Sequence, residues 1–203
     1  GTNEFPQNVE LGLKYLIKSS EQENVSAMEY YGSLLFDGNF ITKDEDKANS
    51  ILMKAATKYK SPRAKLLIAK IQYSHRTVGP NGFDDSDVNY VLAKKFAKEA
   101  ADSIPKSTEA MVFYGLLCQK EKTNKYGTIN RNFSEAFKYF KEASELGDED
   151  AMAYLGNYYK EGYGVVTTDK KLAVRYYRHS SKSGNLKGCA LYGSRMIDGE
   201  GTK

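Results

Sequence analysis

Tryptophan is absent from this chain, histidine and cysteine occur twice each, and proline four times in 203 residues. The histidines, His75 and His179, and the cysteines, Cys118 and Cys189, stand apart, with no CxxC motif and no His/Cys/Asp/Glu set at metal-ligand spacing. Neither a disulfide framework nor a metal site follows, and no cofactor motif is present. Both cysteines fall on apolar helix faces and read as packed thiols, which favours a reducing compartment. A hydrolase needs a nucleophile, a base in reach and a third group to orient it. His75 stands at a loop entrance and His179 beside Ser180-Ser181, so the chain reads as non-enzymatic, with no catalytic residue assigned.

Long apolar runs are missing as well. No stretch reaches the roughly 18 consecutive apolar residues of a membrane span, so no membrane insertion is expected in this segment. No signal-peptide pattern opens the chain, and the start at Gly1-Thr2 with an end in mid-hairpin at Lys203 reads as a fragment of a longer protein. The sequence does not fix the compartment: the cytoplasm is favoured, with the endoplasmic-reticulum lumen as the alternative. Two N-x-S sequons, at Asn24 and Asn132, matter only for a secreted parent.

A dominant charge is also lacking. Thirty basic and 26 acidic residues leave a formal charge of +4, interspersed along the chain, and the longest basic groups, such as Lys170-Lys171, are short. This pattern suits a solvated surface better than a nucleic-acid interface, whose basic residues usually gather on one face or in one run, and no nucleic-acid partner is expected.

What is present is helical. Hydrophobic residues make up 40%, with 16 Tyr and 9 Phe, and long stretches of Ala, Lys, Glu and Leu predict an all-α fold. Residues Asn8 to Glu23, with an apolar face at Leu11, Tyr15, Leu16 and Ser19, read as the second helix of a hairpin. Ser26 to Phe40 follows, stopped at Gly38, and pairs with Glu45 to Lys58, capped by Asp44. Ala64 to Tyr73 pairs with Val88 to Ser103, Ala110 to Lys120 with Ser134 to Leu146, and Ala151 to Glu161 with Lys170 to Ser183. A fifth hairpin begins at Gly188.

Aligning the copies on their first small residue gives Ala27, Ala64, Ala110, Ala151 and Gly188, a spacing in the solenoid range. Five residues on stand Gly32, Ala69, Gly115, Gly156 and Gly193, small enough for a partner helix to cross against the backbone. The second helices repeat an alanine seven residues apart, Ala48/Ala55, Ala93/Ala100 and Ala136/Ala143, with Leu52, Ala97 and Phe140 between. Two hairpins carry insertions, at His75 to Asp87, which holds the turn signal Pro80-Asn81-Gly82, and at Glu121 to Asn132. The expected copies lie near 8–25 (partial), 26–62, 63–108, 109–149, 150–186 and 187–203 (partial), in one domain spanning 1–203.

Gly162-Tyr163-Gly164 imitates a phosphate loop but follows a helix instead of opening one, which makes it a helix stop. In the pairs Tyr30-Tyr31, Tyr158-Tyr159 and Tyr176-Tyr177, adjacent positions diverge by about 100° on a helix. One member of each pair, mostly the second, is expected in the core.

The run Ala151 to Val165, A-x-x-Y-L-G-x-x-Y-x-x-G-x-G-V, followed by Asp169, Lys171, Ala173, Tyr176, Tyr177 and Gly184, resembles the Sel-one-like repeat, a relative of the tetratricopeptide repeat. The other copies match in part, and the second departs most, with Ala69 for the glycine and Gln72 for the tyrosine. The resemblance implies a right-handed α/α superhelix, a solenoid of about four and a half to five helical hairpins, with first helices lining its concave face. It also implies a non-enzymatic adaptor that assembles complexes by binding a protein or peptide. A regulatory module appended to a catalytic domain such as a kinase is the alternative, and a stand-alone hydrolase a remoter one, since the paired cysteines of the family's hydrolytic branch are missing. By analogy with tetratricopeptide repeats, the groove residues are Glu29, Ser33 and Phe36; Leu66, Lys70 and Tyr73; Val112, Leu116 and Gln119; Ala153, Asn157 and Lys160. Of these, Leu66 and Val112 serve equally well as packing between repeats. Self-association through uncapped end repeats is a further expectation.

Overall fold

The computed structural model describes residues 8–74, 86–120, 122–124, 127–129, 131–164 and 166–199. The elements run α1 (Val9–Glu21), α2 (Val25–Asp37), α3 (Glu45–Lys58), α4 (Pro62–Ser74), α5 (Ser86–Ala101), α6 (Thr108–Cys118), β1 (Lys122–Asn124), β2 (Gly127–Ile129), α7 (Phe133–Glu145), α8 (Glu149–Glu161), α9 (Lys170–Lys182) and α10 (Leu186–Ile197). The chain divides into two compact units, residues 1–96 and 97–203.

Helix starts follow from short polar side chains. Asn8, Asn24, Asp44, Ser107, Asn132, Asp148, Asp169 and Asn185 each accept a backbone N–H from three residues on, as does Ser61 from Ala64. Each satisfies one orphan donor of the first turn. Gly38 and Gly162 end α2 and α8 with φ of 74°, in the left-handed region where a Cβ is strained.

The hairpins close by one recurring bond. The cap of the second helix donates its N–H to the carbonyl eight residues after the small position of the first helix: Asp44 to Leu35 (2.9 Å), Asn132 to Cys118 (2.8 Å), Asp169 to Tyr159 (2.7 Å). The connecting chain between these fixed anchors varies in length. In the α6/α7 hairpin the expected insertion is in part a short two-stranded antiparallel ribbon, with Lys122 opposite Ile129 and Asn124 opposite Gly127, a local addition to the expected all-α fold. The insertion at His75 to Asp87, with Pro80-Asn81-Gly82, lies outside the described residues apart from the first turn of α5, Ser86 and Asp87.

In the first unit the core joins Met28, Tyr31 and Leu35 of α2, Ala48, Leu52, Ala55 and Ala56 of α3, and Ala64, Ile68 and Ile71 of α4. Each of the large aliphatic side chains among these contributes about 1.5–3 kcal/mol by leaving water. The α1 face is rotated from the expected one. Leu16 and Ile17 pack on this core and Ser20 is buried, whereas Leu11 and Tyr15 are exposed, Tyr15 by 65%. In the second unit α6 supplies Met111, Tyr114 and Leu117, α7 Tyr139 and Phe140, α8 Leu155 and Tyr158, and α9 Val174 and Tyr177.

The small positions work as close approaches. A Cβ on Gly32 would fall 2.6 Å from Leu52 Cγ, and one on Gly115 2.7 Å from Phe140 Cε1. In the copy that has Ala69 in place of the glycine, the sequence position matching Leu52 and Phe140 holds the smaller Ala97. Among the tyrosine pairs the second member is buried in Tyr31 and Tyr177. In Tyr158-Tyr159 it is the first, because Phe133, Phe140 and Tyr163 close around the Tyr158 ring. Tyr163 stacks on Phe133 at 4.7 Å, so Gly162-Tyr163-Gly164 ends α8 and clamps it to α7. Cys118 is buried as expected, but Cys189 is exposed, because Gly188 takes the packing position of α10 and turns its neighbour outward.

Candidate protein-binding site

In the first unit the first helices α2 and α4 are neighbours, and their expected binding positions are partly spoken for. Ser61 Oγ donates to Glu29 Oε1 at 2.5 Å while capping α4, so the Glu29 carboxylate ties one first helix to the start of the next. Ser33 Oγ donates back to the Tyr30 carbonyl. Phe36 is half-buried against the core, with the Lys43 ammonium 5.3 Å from its ring centre. Leu66 is only 4% exposed and belongs to the interior, the packing role that its spacing also allowed. Lys70 and Tyr73 are half-buried on the same helix, three residues apart.

In the second unit Val112 and Leu116 of α6 are half-buried, and Ala153 of α8 is fully buried. Gln119 Nε2 donates to Tyr158 OH at 2.9 Å, linking the end of α6 to α8. Burial raises the Tyr158 pKa to about 12 against the opposing effect of that bond. Asn157 Oδ1 accepts from Tyr177 OH at 2.8 Å, and Lys160 pairs with Glu161 at 2.5 Å. Within each unit the first helices therefore offer a mixture of half-buried apolar side chains and polar groups that already hold one partner.

Sequence reasoning missed two polar devices. Glu23, just past α1, accepts from Lys54 at 2.7 Å and also from Lys58 and Tyr59, and these bonds lower its pKa to about 2. Lys98 donates to Glu135 (3.2 Å) and Tyr139 OH (3.1 Å), while Tyr139 donates to Asp102 and Tyr114 to Glu135. Both join residues far apart in the chain, from 21 positions for Tyr114 and Glu135 to 41 for Lys98 and Tyr139, and only the fold brings them together. A third feature was legible: Lys171, Arg175, Arg178 and Lys182 follow a 4-3-4 spacing that places them on one face of α9.

Among the described residues the His179 ring makes no hydrogen bond and is exposed, and no three His, Cys, Asp or Glu side chains gather as a metal site. No described helix is long and apolar enough to cross a membrane.

A family model, the Sel1 repeat, matches residues 1–24, 25–58, 81–103, 108–148 and 149–185. The matches leave out α4, the helix with Ala69 and Gln72 where the repeat has glycine and tyrosine. Among solved structures, the chain is similar to a protective antigen present in uropathogenic Escherichia coli strains that displays the SLR fold. The TM-score is 0.77 at 20% identity, over 99% of this chain and 39% of that one. It is also similar to a Sel1 repeat protein from Oxalobacter formigenes, with a TM-score of 0.73 at 24% identity, over 96% of this chain and 71% of that one. The chain thus spans well under half of the first of these proteins, and both share its all-helical solenoid fold class. With five matched repeats covering most of its length, the chain belongs to the Sel1 repeat family.

Proposed function

We propose that this chain is a non-enzymatic scaffold that holds a protein or peptide partner on the free faces of its first helices. The observation that carries this reading is the recurrence, at equivalent positions of successive first helices, of half-buried aromatic, aliphatic and polar side chains in a fold that commonly serves protein–protein contact. Repeats of this kind stack such positions into extended binding surfaces. Phe36, Lys70 and Tyr73 are the anchors in the first unit, and Val112, Leu116 and Lys160 in the second, since aromatic and long amphipathic side chains dominate binding energy where water is excluded.

The test is affinity capture with the intact chain, comparing wild type with Lys70→Glu/Tyr73→Ala and with Phe36→Ala, and with Lys141→Ala at an exposed position of α7 as control. Partners lost from the first two variants and kept by the control support the reading, provided that thermal melting of the variants is followed alongside. Retention by all variants ends it. A screen of ester, lactam and phosphate substrates is expected to give no turnover.

A further inference from the structure

The α9 sequence, KKLAVRYYRHSSK, contains no acidic residue. Its buried side holds Ala173, Val174, Tyr177 and Ser180. At 100° per residue, Lys171, Arg175, Arg178 and Lys182 fall within about 60° of one another on the far side, in a file about 16 Å long. All four are exposed, and among the described residues none makes an ion pair, whereas Lys43, Lys54, Lys58, Lys98, Lys106 and Lys187 all do. Four like charges held in one row and left without counter-charges form a local positive field.

Beside this file the surface is hollow. A cavity of about 250 Å³ opens between α7, α8 and α9, lined by Ser144, Met152, Leu172, Arg175, Tyr176 and His179. Its floor is apolar, from Met152, Leu172 and the Tyr176 ring, and Arg175 and His179 stand at the basic edge. Tyr176 is stacked on Tyr159 at 5.5 Å with the rings 6° from parallel, and burial, then Tyr159 and Glu145, raises its pKa. Glu145, which acts on Tyr176, is itself paired with Lys141 at 4.0 Å.

We propose that α9 is a docking surface for an acidic peptide segment that carries one aromatic or large aliphatic side chain. The apolar side chain fills the cavity, and flanking carboxylates lie along Lys171, Arg175, Arg178 and Lys182. A file of about 16 Å matches roughly five residues of extended chain. Charge complementarity selects the acidic partner, and the apolar floor of Met152, Leu172 and the Tyr176 ring selects an apolar side chain between the carboxylates. This surface lies on a second helix and is independent of the first-helix reading above.

The experiment measures binding of the full chain to a fluorescent peptide of about eight residues, glutamates and aspartates with one central phenylalanine. Three further probes are the same peptide with glycine for phenylalanine, a glutamine/asparagine version, and a single-stranded oligonucleotide. The proposal expects binding that weakens about tenfold in Arg175→Glu/Arg178→Glu and about tenfold when the phenylalanine is removed. It also expects binding that weakens with added salt. Arg175→Gln/Arg178→Gln, which keeps the surface polar without reversing its charge, should fall between. Equal affinity of wild type and both double variants overturns the proposal, as does equal affinity of the phenylalanine and glycine peptides. Tighter, arginine-dependent capture of the oligonucleotide would overturn it in favour of nucleic acid.

Discussion

The Tyr177 ring occupies the space that a side chain on Gly156 would need. A Cβ at Gly156 would stand 2.3 Å from Tyr177 Cε1 and 2.5 Å from Cδ1. The ring has no room to yield, because it is fully buried and its hydroxyl is held by Asn157.

Gly156→Ala should therefore destabilise the fold. Overpacking of this kind costs roughly 1–3 kcal/mol, more than the gain of about 0.5–1 kcal/mol from better helix propensity. Gly156→Leu should cost more. In a Tyr177→Ala background the sign should reverse. Denaturant melts of the four variants of the cycle measure the coupling. Additive effects would show that the ring and the glycine do not meet.

Ser180 and Gly188 form a second such pair. A Cβ on Gly188 would meet Ser180 Oγ at 2.3 Å and its Cβ at 2.6 Å, while the hydroxyl donates to the Glu149 carbonyl at 2.7 Å. Gly188→Ala should lower the melting temperature. Ser180→Ala should cost about 1 kcal/mol for the lost bond. In the double variant the alanine at 188 should be less damaging than alone, although not harmless, because the Ser180 Cβ and backbone stay close.

Glu23 gives a pH signature. Its pKa is depressed in the fold, so its contribution is present above the unfolded carboxylate value of about 4.5 and is lost as the pH falls towards 2. The difference in melting temperature between wild type and Glu23→Gln should be full at neutral pH and vanish near pH 2. A difference that persists at acid pH would assign the effect to something other than the charge.

Tyr139 is the hinge of the other network, donating to Asp102 at 2.6 Å and accepting from Lys98. Tyr139→Phe should cost about 1 kcal/mol. Combined with Lys98→Met it should cost less than the sum of the two single changes, since both remove the same bond. Chemical denaturation of the two singles and the double variant tests this.

The repeat register was legible because it is a one-dimensional pattern. Small residues at Ala27, Ala64, Ala110, Ala151 and Gly188 recur at hairpin spacing, and every one is buried. Helix starts at Asp44 and stops at Gly38 were legible because a cap is made within three or four residues. The binding surface was not readable in the same way. Whether Asn157 is free or bonded depends on a tyrosine 20 residues away, and whether Glu29 is free depends on Ser61. The ribbon at Lys122–Asn124 and Gly127–Ile129 escaped for a different reason: Lys125-Tyr126 between the strands is not a turn pair that announces a hairpin. The exposed Leu11 and Tyr15 show that periodicity finds an apolar stripe without saying which side of it meets a neighbour.

The Ser180 and Gly188 pair also sets how near two helices can lie. Other copies hold alanine at both positions, Ala55 with Ala64 and Ala143 with Ala151. Between α9 and α10 a Cβ on residue 188 meets the Ser180 Cβ and carbonyl carbon as well as its Oγ, so these helices stand closer than two alanines allow. Exchanging the pair for the alanines of another copy would therefore push α10 outward, and the tightness of this junction is written in the missing side chain of a single residue.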